Sequence, residues 1–423
     1  MNDVQSVWEA LGGDPALVPR VSTVAHRETL DARLPVRELA RACVAACALA
    51  AAELGARRAG LAEVPAVRVD DAAVAAAFHS ERLLGALGLP EDASVERVAA
   101  VLAERTAADV EERVYDAGGL AVALRTPAQW AAHEQAAEVA RRPLVERATA
   151  GAARARVLPP VAASPLLPAA GLRVLDLTRV IAGPVGTRTL ALLGADVLRI
   201  DPPWLPELAD QHADTDFGKR SATLDLRTDR ETFEELLAGA DVVVTGYRPG
   251  SLDRFGLTPS AAAEQWPGLV VAQVSAWGTY GPWGGRRGFD SLVQAATGIA
   301  VTEGSDGRPG ALPAQALDHG TGYLLAAAVL RALTERTYDG RGRSARLALA
   351  RTAAWLTHGI GRDPAPDDAA AGTAGEGTAP RLAERDSPLG HLRYAPPAVS
   401  FTGGPTDWAR PPGRWGADEP RWD

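Results

Sequence analysis

LRVLDLTRVIAGPVGTRTLALLGADVLRID, residues 172–201, decides the fold. It opens on a compact apolar run, LRVLDLT (172–178), and turns through Arg179 to Gly183. PVGTRTLALLGA (184–195) then carries apolar residues at helical spacing, and DVLRID (196–201) is a second apolar run. Runs this short read as buried strands, and a helical period between them makes a strand–helix–strand unit. Strands joined in that way lie parallel, with a right-handed crossover. The alternation continues downstream. SATLDL (221–226), DVVVTG (241–246), LVVAQVSAWG (269–278) and SARLALA (344–350) read as strands. DRETFEELLAGA (229–240) and an apolar stretch starting at or just before Gly322 read as helices. The expected fold class is α/β: a doubly wound parallel-sheet, Rossmann-like large domain plus a mostly helical N-terminal region.

Five segments follow from composition and period. Residues 1–150 form the helical N-terminal region, carried by VRELARACVAACALAAAELGARR (36–58) and SVERVAAVLAERTAADVEERVYDAGG (94–119). A strand is expected at GLAVALR (119–125), then a helix over 126–142 with Thr126 as N-cap and Pro127 in its first turn. Residues 151–170 are an Ala/Pro linker, 171–360 the Rossmann-like domain, and 361–386 a low-complexity linker. Residues 387–423 form a Pro/Trp-rich arm, whose Trp408, Trp415 and Trp422 suggest a tail pinned to another surface.

Bulk properties narrow the function classes. With 47% hydrophobic residues and a net charge of −9, the chain is built for a core, and neither nucleic acid nor an anionic membrane is an expected partner. No run reads as long enough to span a bilayer, and MNDVQSVWEALGGD lacks a signal-peptide pattern, so the cytoplasm is the expected location. Cys43 and Cys47 stand one helical turn apart and read as packing thiols. The seven histidines show no metal-ligand spacing, so no metal is expected. Lys219 is the lone lysine. Asp201 at the end of the second strand would suit a dinucleotide, but the turn TRVIAGPVGT (178–187) lacks the glycine fingerprint, and a nicotinamide reading falls.

AQALDHGTGYLLAAAVLRAL (314–333) carries the most pointed chemistry. Asp318 stands just ahead of an apolar helix, beside His319 and the glycines 320 and 322. One reading makes Asp318 an N-cap that accepts the free amides of the helix start. The other makes it a reactive carboxylate that glycines leave open to close approach.

The order of blocks resembles family III coenzyme A transferases, of the formyl-CoA and carnitine-CoA transferase type. LDLTRVIAGPVGTRTLALLGADVLRID is followed by GKRSATLDL (218–226), GYRPGSLDRFGL (246–257), VSAWGTYGPWGGRRGFDSLVQAATGI (274–299), LDHGTGYL (317–324) and TYDGRGRSARLALARTAAW (337–355). VYDAGGLAVALRTPAQWAAH (114–133) is similar to part of the family's small domain, and APPAVSFTGGP (395–405) to its closing segment. The N-terminal region then reads as a partial small domain of an extended member. It departs from the pattern near residues 84–86, where a Tyr…Asp-Gly segment is missing.

The resemblance implies an acyl-CoA:carboxylate CoA-transferase working through a covalent aspartyl mixed anhydride, with Asp318 as nucleophile, ionised at neutral pH like an ordinary aspartate. Gly320 and Gly322 would offer backbone to the developing oxyanion. Coenzyme A contacts would come from Arg179, Val180, Ala182, Lys219, Arg220, Tyr247, Arg248, Arg254, Arg286 and Arg287. Pro203 replaces a basic residue of the pattern. The resemblance implies no permanently bound cofactor, the CoA thioester being substrate, with a free carboxylic acid as acceptor and a homodimer, interlocked in family members. The alternatives are a CoA-thioester racemase or isomerase of the same fold, or a non-catalytic CoA-binding paralogue. The racemases carry Gly-His-Asp where this chain has Gly288-Phe289-Asp290, and phenylalanine moves no proton.

Overall fold

The computed structural model describes residues 3–24, 30, 32–70, 105–117, 119–149, 158–361 and 382–422. From the N-terminus come α1 (Asp3–Ala10), β1 (Val21–Val24), α2 (Val36–Ala59), β2 (Val67–Asp70), α3 (Ala107–Asp116), α4 (Pro127–Ala131), α5 (Glu134–Ala140) and β3 (Glu146–Thr149). The alternating part follows: β4 (Arg173–Leu177), α6 (Ala182–Leu192), β5 (Asp196–Asp201), α7 (Ala209–Thr215), β6 (Arg220–Thr223), α8 (Arg230–Gly239) and β7 (Val242–Thr245). It continues with α9 (Pro259–Gln265), β8 (Val270–Ser275), α10 (Asp290–Ala296), α11 (Ile299–Thr302), α12 (Ala316–Asp339), β9 (Arg343–Ala348) and α13 (Leu349–His358). A hairpin closes the set, β10 (Ala383–Ser387) with β11 (Gly390–Tyr394).

The central sheet has seven strands in the order β3-β9-β8-β7-β4-β5-β6. All pairs are parallel except β3 on β9. This is the doubly wound order with one antiparallel strand added at an edge. The strand order reverses between β4 and β7, which opens a crevice at their carboxyl ends. Both faces are covered, so alternate residues of one strand enter different cores. Val242 and Val244 join the core that holds α2, α6 and α12, while Val243 packs with Phe233, Leu236 and Trp266 on the other face.

Helix α12 is buried along most of its length, between the sheet, α2 and α6. Small residues make that possible. A Cβ on Gly322 would lie 2.5 Å from the Ala182 carbonyl oxygen, and one on Gly186 would lie 2.9 Å from the Gly322 carbonyl oxygen. The two helices therefore meet backbone to backbone. The alanines of α2 give the same closeness on the opposite flank, where Leu39 and Cys43 face Gly320.

The structure departs from the sequence expectations at four places. Residues 120–125 form no strand; Glu111 of α3 holds them instead, accepting from the Ala123 amide (2.7 Å) and both Nη atoms of Arg125 (2.8 and 3.0 Å). The helix expected over 126–142 breaks at His133, whose Nδ1 caps a new helix by accepting from the Gln135 amide. Val36–Ala59 has the length and apolarity of a bilayer span, but 89% of its most apolar stretch is buried inside the fold. Finally, α12 starts at Ala316, well before Gly322. Residues 71–104, 150–157 and 362–381, which include the first eleven residues of the expected 94–119 helix, the 84–86 departure, and parts of both linkers, lie outside the described residues.

The C-terminal arm lies against the β6 edge. Asp418 both donates its amide to the Ser221 carbonyl (2.8 Å) and accepts from the Ser221 amide (2.7 Å). The indole N–H groups of Trp408, Trp415 and Trp422 donate to the Arg188 carbonyl, the Asp201 carboxylate and the Leu236 carbonyl. Pairing or covering an edge strand removes a template for association with another chain.

Candidate active site

The early start of α12 changes what Asp318 is. With Gln315 as N-cap residue, the amides needing outside acceptors are those of the first turn. Two of them, Leu317 and Asp318, donate to Asp290 Oδ2 at 2.9 and 3.0 Å. Asp290 opens α10, and Gln294, one turn further on, donates its amide to Asp290 Oδ1 while accepting from the Leu312 amide (2.8 Å). The helix is thus capped from another helix, and Asp318 is released from the capping role. Its own carboxylate accepts no hydrogen bond from the described residues, and the residue keeps only 6% of its surface. An unpartnered buried carboxyl is costly in a framework and common at functional positions.

Electrostatics follow from that geometry. Burial pushes Asp290 up to about 6, against the hydrogen bonds from Gln294, Asp318 and Leu317 that favour its charge. Burial, then the facing Asp290 charge, holds Asp318 well above the ordinary carboxylate range. Each carboxyl of the pair therefore holds its proton above the ordinary carboxylate range. The expectation of an ordinary, fully ionised Asp318 is therefore corrected.

Gly320 and Gly322 fall beyond the first turn, where amides belong to the intrahelical ladder. The close approach Gly322 permits is that of α6. The oxyanion donors expected of these glycines are not at the helix start.

The expected ligand-binding residues separate into groups. Tyr247 and Arg248 line a cavity of about 300 Å³ at the carboxyl ends of β7 and β8, with Ser275, Thr279 and Arg346. Tyr247 and Arg254 line a more apolar one of about 260 Å³, with Leu177, Ile200, Trp204 and Phe255. Tyr247, Ser251 and Leu252 belong to both, so the 246–257 loop divides one crevice at the point where strand order reverses. Burial raises the Tyr247 phenol far above its usual range, keeping it a neutral donor. Asp318 lines neither cavity.

The remaining cations are held elsewhere. Lys219 is fully buried, 3.0 Å from Asp176 Oδ2, in a network where Arg199 also meets Asp201, Asp216 and Glu207. Arg220 pairs bidentately with Asp196 (2.9 and 2.7 Å) and donates to the Arg421 carbonyl, which ties it to the C-terminal arm. Arg286 grips Glu112 of α3 between the rings of Tyr115 and Trp283, and the Arg287 carbonyl accepts from Tyr115 Oη. Ala182 is buried at the start of α6. Arg179 and Val180 both engage Glu207, at 3.3 and 2.9 Å. Asp290 enters the sequence reading only within Gly288-Phe289-Asp290 and Glu207 not at all, because their contacts with Leu317, Asp318 and Val180 cross 27 or 28 positions.

The profile of CoA-transferase family III matches residues 169–381, the whole alternating part and its crevice. This chain belongs to CoA-transferase family III. Among curated relatives, an acetyl-coenzyme A transferase, nodX of Hypoxylon pulicicidum, is 34% identical over 212 residues, 48% of this chain and 36% of its own length. A formyl-CoA:oxalate CoA-transferase of Streptomyces coelicolor is 36% identical over 193 residues, 42% of this chain and 47% of its own length. A crystal structure of Rv3272 from Mycobacterium tuberculosis is 33% identical, with a TM-score of 0.43, covering 45% of this chain and 57% of that one. The family III chain described here thus spans less than half of the length of these two curated relatives. Its Cys43 and Cys47 thiols are fully buried, and burial pushes both well up.

Proposed function

We propose that the protein is a cytoplasmic, homodimeric acyl-CoA:carboxylate CoA-transferase in which Asp318 forms the covalent intermediate. One observation carries the reading: in a family III chain, the carboxyl at the start of the central helix is buried, unpartnered and relieved of capping by Asp290. Its ionised oxygen attacks the thioester carbonyl carbon, the C–S bond breaks, and CoA leaves as thiolate with a mixed anhydride behind it. The thiolate then attacks the aspartyl carbonyl, which frees the first acid and forms an aspartyl-CoA thioester. An incoming carboxylate attacks that carbonyl, expelling thiolate and forming a second mixed anhydride; the thiolate then attacks the new acyl carbonyl, and the C–O bond to Asp318 breaks to release the product thioester and the free carboxylate. The divided crevice at the reversal point, lined by Tyr247, Arg248 and Arg254, is the place proposed for the CoA nucleotide.

The raised carboxyl pair adds a condition: only the deprotonated fraction of Asp318 attacks, so transfer rises with pH through a range above that of a free aspartate. The burial of Asp318 outside both cavities favours, as second reading, a protein that binds CoA without turning it over. Purified protein given an acyl-CoA and a panel of free acids, with new thioesters followed by mass, separates the readings. Transfer lost in Asp318→Ala with CoA affinity kept supports the transferase. Exchange of α-protons without a new thioester supports a racemase or isomerase. CoA binding with neither leaves the binder.

A further inference from the structure

The turn after β4 and the strap after β5 meet at one carboxylate. Glu207 Oε2 accepts from the Val180 amide (2.9 Å) and from Arg199 Nη2 (2.8 Å). Its Oε1 accepts from Arg179 Nη2 (3.3 Å) and from the Leu208 amide (3.1 Å). Two guanidinium groups and two backbone amides are what a phosphate or carboxylate ligand asks of a protein. The location matches: Val180 follows β4, beside the reversal of strand order where open α/β sheets take their ligands.

Three further observations separate this from an ordinary framework ion pair. Val180 sits at φ 69, a left-handed conformation unfavourable for a β-branched residue, with its amide on Glu207. Arg179 Nε is buried and has no hydrogen-bond acceptor among the described residues, so the donor set is not used up by Glu207. The strap bearing Glu207 also carries Trp204, Leu205 and Leu208 at 55, 44 and 58% exposure, and Trp204 and Leu205 line the apolar half of the crevice. Little apolar burial holds this strap, which is tied down by Glu207, by the Pro206 carbonyl accepting from Arg179 Nη2 (2.8 Å) and by Trp204 against Arg227 (4.0 Å).

We propose that Glu207 is a resident anion: its side chain occupies an anion site made by the Val180 amide, Arg179 and Arg199, and an incoming phosphate-bearing ligand must displace it. The site then binds anions weakly until Glu207 swings out with its strap, so Glu207 sets affinity at this crevice by competing from within the chain. This rests on the crevice being a ligand site and not on Asp318 chemistry.

Inorganic pyrophosphate is the probe, titrated calorimetrically into the full chain and into Glu207→Ala and Glu207→Gln. Removal of an internal competitor is expected to tighten pyrophosphate binding at least tenfold in Glu207→Ala and less in Glu207→Gln. Adding Arg179→Ala to either variant is expected to abolish the gain, which places it at this site. Folded variants that bind pyrophosphate no better than the parent overturn the proposal. So does unfolding of both variants, since Glu207 is then a framework residue. Because pyrophosphate binding needs no acyl transfer, a protein without transferase activity but with the tightened binding refutes the transferase reading and leaves this one standing.

Discussion

Asp318→Asn is predicted to leave the protein more stable than the parent while ending its chemistry. Two buried acids face each other at the start of α12, and both resist ionisation. Asp290 alone is pushed from 3.8 to about 6. At ~1.4 kcal/mol per unit, that displacement costs the folded state about 3 kcal/mol once the solution is well above it. Groups raised in the folded state contribute their stability fully below the unfolded carboxylate range, and it is lost as pH climbs through their folded values. The window here runs from about pH 4 upward through about 6, and further for Asp318. An amide at 318 removes one charge and its repulsion on the other. Asp290 keeps its own burial cost, so the expected gain comes from Asp318 alone: near zero at about pH 4, and growing as pH rises above the ordinary carboxylate range. Urea unfolding of parent and variant across that range, with a shared slope, measures it. A variant no more stable at the alkaline end, or a gain that does not depend on pH, would refute the account of the pair.

Three other outcomes follow from packing. Gly322→Ala places a methyl 2.5 Å from the Ala182 carbonyl, where no rotamer relieves it, and is expected to cost about 1–3 kcal/mol by urea unfolding; Gly285→Ala, with nothing within 4 Å, is the neutral control. Glu111→Ala strips Arg125 and the Ala123 amide of their buried acceptor and is expected to cost about 3 kcal/mol, read from the same assay. Truncation after Thr406 uncovers the β6 edge and is expected to produce concentration-dependent association in light scattering; a monodisperse, equally stable truncation would show that the arm is not an edge cover.

Most of the alternating fold was legible in the sequence because its signals are local. The 172–201 unit shows two apolar runs flanking a helical period, and its strands fall within a residue or two of the reading. Two of the departures share a cause, a polar contact from outside the segment being read. GLAVALR has strand composition, but Glu111 takes up the Ala123 amide and Arg125, so residues 120–125 run irregularly. Helix α12 starts earlier than its local sequence suggests because its cap, Asp290, comes from another helix, whereas N-cap preferences concern adjacent residues. The chemistry was legible in part for the same reason. Asp318 stands out among glycines, but its altered acidity comes from burial and then from Asp290, 28 positions away. Lys219 looked available as the lone lysine, and the fold spends it on Asp176.

The central claim is that the Asp318 carboxylate becomes bonded to the fragment it takes from a thioester. Mixing the full chain with an acyl-CoA, quenching in hydroxylamine and mapping peptides by mass tests it directly. The account predicts a hydroxamate at Asp318, formed only when acyl-CoA is present and absent from Asp318→Asn. Turnover of the thioester with Asp318 unmodified under the same quench, or a hydroxamate at a different carboxylate, would contradict it.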